Sequence, residues 1–373
     1  MSLTVKSSEL LEGLQQIIKV IPSRSTLPIL GCAYFEFGEN EIRVKSTNLE
    51  TSISVGINYN GEKPEEPIAI PVNRFLEIIS NIKDPEVSFD LSEKNTLKLK
   101  TSTGVFSITG QDYKEFPSDP IMKEAVSLTI NTEKFLDIIG FAKTSVSKDE
   151  LKPALQGVLL KISSSQILGV STDGHRLSRI VAEQENNQGQ EFEIIAPMKF
   201  LTILSSIIEK TETIEIEISS NYMSLSYKNV SLFSKIIKDT YPDYEKVIPL
   251  DNNKTLTVDK KDLTDAIKRV SIFSNRSTKQ ITLKINSNRL KLSTEDAENA
   301  ASGKETMECV FNSDEGLKIG FNANFVLDAM AAIKDNKVSM FLNTALSAAI
   351  ISEKNEKKKT DKLILLMPIR LND

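Results

Sequence analysis

The chain has one histidine, His175, and it stands in the run Thr172-Asp173-Gly174-His175-Arg176-Leu177. An imidazole beside a carboxylate could be a general base with Asp173 as its orienter. The nucleophile such a base would serve is missing. There is no G-x-S-x-G turn, and no cysteine motif accompanies the histidine. Neighbouring residues of a turn also rarely place their side chains in base–orienter geometry. Metal chemistry fares worse, since one His and two distant cysteines, Cys32 and Cys309, offer no ligand cluster. The competing reading is a plain turn in which Gly174 supplies a positive φ and Asp173 caps it. No catalytic residue, metal or cofactor is expected.

What positions this run is a unit written three times. The stretch 127–142, SLTINTEKFLDIIGFA, reads as a strand (Leu128, Ile130), a break at Asn131-Thr132, and a helix with an apolar face at Phe135, Ile138, Ile139 and Ala142. The same phrase opens the chain as SLTVKSSELLEGLQQII and returns as TLTVDKKDLTDAIKRV. Phe75, Phe200 and Phe325 begin equivalent helices 125 residues apart, and Ser46-Thr47, Ser171-Thr172 and Ser293-Thr294 follow equivalent strands. A period of that length is a domain and not a solenoid repeat. Three domains are expected, at 1–122, 127–249 and 254–373. Each copy holds a fainter repeat, so the chain reads as six half-domains of one strand, one helix and about three strands. Alternation such as Ile214, Ile216 and Ile218 against Glu215 and Glu217 gives each sheet one buried face. The fold class is α+β, with two helices per domain packed on antiparallel sheets.

Composition agrees with this picture. Hydrophobic residues are 40% and charged residues 26% of the 373, as in a soluble globular protein. No apolar run approaches the ~20 residues that cross a bilayer, and the N-terminus lacks the pattern of a signal peptide. A cytoplasmic protein with two buried, unpaired thiols within strands is expected. The net charge of −5 says nothing about how charge is distributed. The charge run 353–362 is expected to be a solvated hairpin loop.

Structure explains what recurs in a repeat; what appears once needs another account. Only the middle copy carries Gly174-His175-Arg176-Leu177 after its Ser-Thr pair. Only the third ends on Met367-Pro368-Ile369-Arg370, more than a strand end needs, with Met an adaptable lining for apolar ligands. Basic residues gather at the C-terminal ends of the helices and in the loops beyond: Lys19 and Arg24, Lys83, Lys143 and Lys148, Lys210, and Lys268, Arg269 and Arg276. Cations there complement the helix dipole, and they also suit a protein that grips DNA phosphates without reading sequence.

At these residues the chain resembles the bacterial DNA polymerase III beta subunit family, the processivity sliding clamps. The marks are Leu27-Pro28-Ile29-Leu30, Thr172-Asp173-Gly174-His175-Arg176-Leu177, Tyr241-Pro242-Asp243-Tyr244 followed by Val247-Ile248-Pro249, and Met367-Pro368-Ile369-Arg370-Leu371, in order across the whole chain. The resemblance implies a head-to-tail homodimer closed into a ring, helices lining a hole that passes double-stranded DNA. It also implies a pocket on the second and third domains that docks the polymerase III catalytic subunit, the clamp loader and other proteins with a clamp-binding motif. The pocket would comprise Leu155, Thr172, Gly174, His175, Arg176, Leu177, Pro242, Val247, Met367, Pro368, Ile369 and Arg370. Arg24 matches a DNA-contacting position. Pro153-Ala154 departs from an aromatic pair found in some members, and Lys246 from a frequent Arg.

For the ring closure, the candidate apolar contacts are Phe106 and Ile108 in the first domain and Ile272 and Phe273 in the third. The competing function is a peptide-binding scaffold of the same fold with no DNA-encircling role. Retention on circular but not linear DNA separates the two.

Overall fold

The computed structural model describes residues 2–91, 93, 95–183, 191–209, 213–356 and 359–371, apart from the side chains of 354 and 355. Among these residues six helices alternate with runs of strands: α1 (Ser7–Ile17), α2 (Val72–Asn81), α3 (Thr132–Ala142), α4 (Met198–Ile207), α5 (Lys260–Ser271) and α6 (Ala323–Ala332). Each follows one strand and precedes three, with a two-residue strand, Val310–Phe311, added in the fifth group. All strand pairings are antiparallel.

The helices form where the apolar spacing demands it. In α1, Leu10, Gly13, Leu14 and Ile17 are buried, one stripe at three- and four-residue steps. Asp259 caps α5 by accepting from the backbone N–H groups of Lys261 and Asp262, and Asn322 caps α6 through Asn324. In the first copy, Phe35, Phe75 and Phe89 meet edge to face with centroids 5.8–6.4 Å apart, closing the core between α2 and the sheet.

Compactness divides the chain differently from the repeat. One unit holds residues 1–132 and 199–236; the other holds 133–198 and 237–373. The reason is backbone pairing. In the first unit, Val230–Lys235 of the second copy pairs with Thr51–Gly61 of the first, Val230 opposite Val55 and Ser234 opposite Thr51, and builds a twelve-stranded sheet. In the second, Arg176–Glu183 pairs with Thr360–Leu366, Arg176 opposite Leu366 and Leu177 opposite Leu365, within a nine-stranded sheet. A four-stranded sheet completes that unit. Each inter-copy junction is thus a ladder of hydrogen bonds and not a loose tether.

Two details differ from the sequence reading. Cys32 opens the strand Cys32–Phe37, but Cys309 falls between the strands Ala301–Glu308 and Val310–Phe311; both thiols are buried and free. The charge run 353–362 lies at the hairpin end of two strands but is not all solvated loop; residues 357 and 358 lie outside the described residues. Strands Ala349–Asn355 and Thr360–Leu366 absorb most of it, and Lys362 is 2% exposed. The Lys362 ammonium lies 2.9 Å from the Asp137 carboxylate of α3 and 5.4 Å from the Phe141 ring centroid. A cation can leave water when a carboxylate and an aromatic face replace its hydration.

Candidate functional site

The recurrent residues of the 172–177 run are explained by the turn they build. Ser171 Oγ donates to the Ala142 carbonyl at the end of α3, 2.5 Å away, and Ser46 Oγ does the same to Ile17 at the end of α1, 2.6 Å. Thr172 Oγ1 donates to the Arg176 carbonyl at 2.7 Å and accepts from the Gly174 N–H at 3.1 Å. Asp173 Oδ1 accepts from the His175 and Arg176 N–H groups at 2.9 and 3.0 Å. Gly174 has φ +91°, as a turn of this kind requires.

The first copy makes the same turn from other residues. Thr47 Oγ1 donates to the Thr51 carbonyl, and Asn48 Oδ1 accepts from the Glu50 and Thr51 N–H groups. Leu49 takes the Gly174 place at φ +75°. Since the turn recurs without them, the side chains of His175 and Arg176 are not needed to build it.

Those side chains meet α6. The His175 ring stacks on Phe325 at 6.4 Å between centroids, 22° from parallel. The Arg176 guanidinium carbon lies 4.4 Å from the same ring centroid. Arg176 Nε donates to Asp173 Oδ2 at 2.9 Å and Nη1 to Asp328 Oδ2 at 2.6 Å. Asp173 is therefore committed to two backbone N–H groups and to Arg176. It does not orient His175, whose exposed imidazole has no hydrogen-bond partner among the described residues. Among those residues no group of three or more His, Cys, Asp or Glu side chains could hold a metal ion.

Phe325 and Asp328 were not legible as site residues. Phe325 occupies the same repeat position as Phe75 and Phe200, both fully buried, and nothing in its local pattern marks it as half-buried. Only the position of α6 beside the 172–177 turn does that.

The structure brings the once-only motifs together. The Met367 N–H donates to the His175 carbonyl at 2.9 Å, continuing the Arg176–Glu183 and Thr360–Leu366 ladder past the last strand pair. Pro368 is half-buried, Arg370 exposed, and the Ile369 N–H reaches the Gly320 carbonyl at 2.8 Å. Beneath lies an apolar cluster that includes Ala154, Val170, Leu177, Tyr244 and Leu365, with Tyr241 and Ile248 packed against it. This cluster ties in the 241–248 segment, whose Pro242 and Val247 are exposed, and it adjoins half-buried Leu155. Burial pushes the Tyr244 hydroxyl up to about 12 and the Tyr241 hydroxyl further, so both stay neutral donors. Tyr241 uses its proton on the Val170 carbonyl at 3.2 Å.

One pocket residue needs correction. Leu177 is 2% exposed and belongs to that cluster, because its strand turns it inward opposite Leu365. It lies beneath the candidate surface and is not part of its exposed lining. Met367 and Val247, 42% and 47% exposed, offer the open apolar surface.

The candidate contacts for self-association divide in the same way. The strand Val105–Thr109 ends the twelve-stranded sheet with one edge unpaired among the described residues, and Val105 and Phe106 are exposed. Ile108 shares a face with Phe106, two residues away, but is 1% exposed where Phe106 is 40% exposed. It serves the core, and Val105 replaces it as an available contact. In the other unit, Ala301–Glu308 ends the four-stranded sheet. Ile272 and Phe273 follow α5, exposed, and a Cβ placed on Gly303 would lie 3.0 Å from the Phe273 ring.

Of the cations singled out in the sequence, Arg24, Lys83, Lys143, Lys148 and Arg276 are exposed and make no ion pair among the described residues. Some lysines on the strands are paired instead: Lys98 with Glu93, Lys100 with Asp90 and Lys161 with Glu193. Lys210 lies outside the described residues. Arg269 is spoken for by Glu305. Lys19 Nζ donates to Gln16 and Ser206 without a carboxylate, and burial lowers its pKa. No helix among the described residues is long and apolar enough to cross a membrane.

Models of the DNA polymerase III beta subunit N-terminal, central and C-terminal domains match residues 1–120, 129–243 and 245–370. The beta sliding clamp of Vibrio cholerae is 24% identical over 372 residues, and that of Bacillus subtilis 26% over 387, each spanning 99% or more of both chains. The crystal structure of a DNA polymerase III subunit beta sliding clamp from Bartonella birtlesii aligns over 100% of both chains with a TM-score of 0.91 and 25% identity.

Proposed function

The chain belongs to the DNA polymerase III beta subunit family, and from that membership we propose that two copies close head to tail into a ring around duplex DNA. It is a sliding clamp of DNA replication, a processivity factor that acts without catalysis. The observation that carries the closed ring is the pair of unpaired sheet edges, Val105–Thr109 and Ala301–Glu308, each flanked by exposed apolar side chains. An open edge that long is an aggregation hazard unless something pairs with it. A heterologous contact between two copies closes both edges at once.

The three repeats are taken as domains at 1–122, 127–249 and 254–373, in a cytoplasmic protein. Arg24, Lys83, Lys143, Lys148, Lys210 and Arg276 face phosphate. Having no carboxylate to leave, the described members of that set can neutralise phosphates without first breaking an ion pair. The junction of the 172–177 turn, the 242–247 segment and the 367–370 tail takes short peptide segments with apolar ends. These belong to the polymerase catalytic subunit, the clamp loader and other clamp-binding proteins. Met367, Val247 and Pro242 supply the apolar surface; Arg176 is held by Asp173 and Asp328, whereas Arg370 is exposed with no ion pair among the described residues and is the one to meet the peptide's carboxylates.

Light scattering at micromolar concentration is expected to give about twice the chain mass of 41.5 kDa. A Phe106→Asp, Ile272→Asp pair of changes should halve that mass. A monomer in the unaltered protein refutes the ring. DNA retention decides the function. Loaded on a closed circle, the protein should stay; after the circle is cut, it should slide off. Its direct affinity should be weak and fall with salt by about 0.9 log units per log unit for each phosphate contacted. Equal retention on circular and linear DNA would mean ordinary binding.

A further inference from the structure

The tail 367–371 has no full strand partner, so something else must hold it. One end is fixed where the Met367 N–H meets the His175 carbonyl, at 2.9 Å. The other lies across a different sheet. Strand Leu317–Asn322 pairs along one side with Gln280–Asn286, and on its open side the Gly320 carbonyl accepts from the Ile369 N–H at 2.8 Å, an isolated antiparallel bridge.

Gly320 is buried there, and its missing side chain is occupied. A Cβ at that position would stand 2.6 Å from Leu371 Cδ2 and 2.8 Å from the Ile369 carbonyl oxygen. A rotamer change could relieve the first clash. The second is with backbone and could be relieved only by moving the tail. Glycine within a strand marks such a close approach of another chain segment.

Resting on the peptide-site reading above, we propose that Gly320 and Leu371 are positioning residues for that site. Leu371 seats in the Gly320 notch and draws the tail taut between two sheets, so Met367 and Pro368 are held against the 172–177 turn before a peptide arrives. Affinity then depends on a contact away from the residues assigned to the peptide, because a surface already ordered loses less freedom on binding.

The test uses the full-length protein and a fluorescein-labelled hexapeptide ending in Leu-Phe, read by anisotropy, with hydrogen exchange at the Met367 and Ile369 amides. Gly320→Ala is expected to weaken the peptide about tenfold, in line with a lost hydrogen bond and a loosened apolar wall. It should also speed Ile369 exchange while leaving the dimer mass unchanged. Leu371→Ala introduces no clash and guards against a folding defect; it should act in the same direction, and Leu371→Met should restore affinity. Unchanged peptide affinity in both Gly320→Ala and Leu371→Ala, or an Ile369 amide still protected in Gly320→Ala, overturns the latch. Met367→Ala separates the two readings. If it weakens the peptide while the latch variants do not, only the latch falls; if none of the three matters, the peptide site itself is elsewhere.

Discussion

Asp137→Asn is expected to lower the unfolding free energy by about 3 kcal/mol, the lower end of the cost of orphaning a buried charge. Asp137 has a side chain 17% exposed and lies 2.9 Å from Lys362, which is 2% exposed. With the carboxylate gone, the one carboxylate left to Lys362 among the described residues is Glu353 at 3.9 Å. The amide still accepts a hydrogen bond, which is why the figure is not larger. Lys334 also reaches Asp137, at 3.0 Å, but its side chain is 58% exposed, so Lys334→Ala should cost under about 1 kcal/mol. Replacing both buried partners by apolar residues, Asp137→Leu with Lys362→Met, should recover most of the loss. Denaturant unfolding of the three variants gives the comparison. Equal losses for Asp137→Asn and Lys334→Ala would show that burial does not govern this network.

The same group sets a pH dependence. Burial by itself would raise the Asp137 pKa; hydrogen bonds and charge from Lys362 and Lys334 outweigh it and hold the carboxyl below its usual 3.8. A carboxyl lowered on folding contributes stability above its unfolded pKa and loses it as pH falls through the folded value. The contribution should therefore be intact at neutral pH and decline only below about pH 4. Asp137→Asn should flatten that part of the acid unfolding curve.

Met367→Ala is expected to reduce affinity for an apolar-ended peptide by about 5- to 150-fold, equivalent to about 1–3 kcal/mol, since binding in such sites concentrates in a few anchors. Its side chain is 42% exposed, so the fold should hardly notice. Leu177→Ala is not an equivalent probe, despite lying in the same motif. At 2% exposure it should cost about 2–5 kcal/mol of stability through the cavity it leaves, and any loss of affinity would be mixed with unfolding. His175→Ala should alter peptide binding modestly, by loss of the Phe325 stack, and abolish no activity. Isothermal titration beside thermal melts distinguishes the cases. Unchanged affinity for Met367→Ala in a folded dimer would move the site off the tail.

The repeat, the six strand–helix groups and the turn at 172–177 were all legible from the amino-acid sequence, because each rests on local physics. Apolar spacing chooses helix or strand, and Thr172, Asp173 and Gly174 satisfy their own turn with bonds spanning four residues or fewer. The family marks were legible for the same reason, being short runs of fixed composition. What local pattern does not contain is which strand lies beside which. The pairing of Arg176–Glu183 with Thr360–Leu366 joins segments nearly two hundred residues apart, and it alone brings Met367 to His175. Phe325, alike in pattern to the buried Phe75 and Phe200, became part of the site only because α6 lies beside the 172–177 turn. The run 353–362 looked solvated because charge usually is; Lys362 went inside because Asp137 was waiting on α3. Ile108 and Leu177 had the right chemistry for a surface contact but lie where neighbouring elements cover their face of the sheet, and that cover is decided by tertiary packing and not by the strand's own pattern.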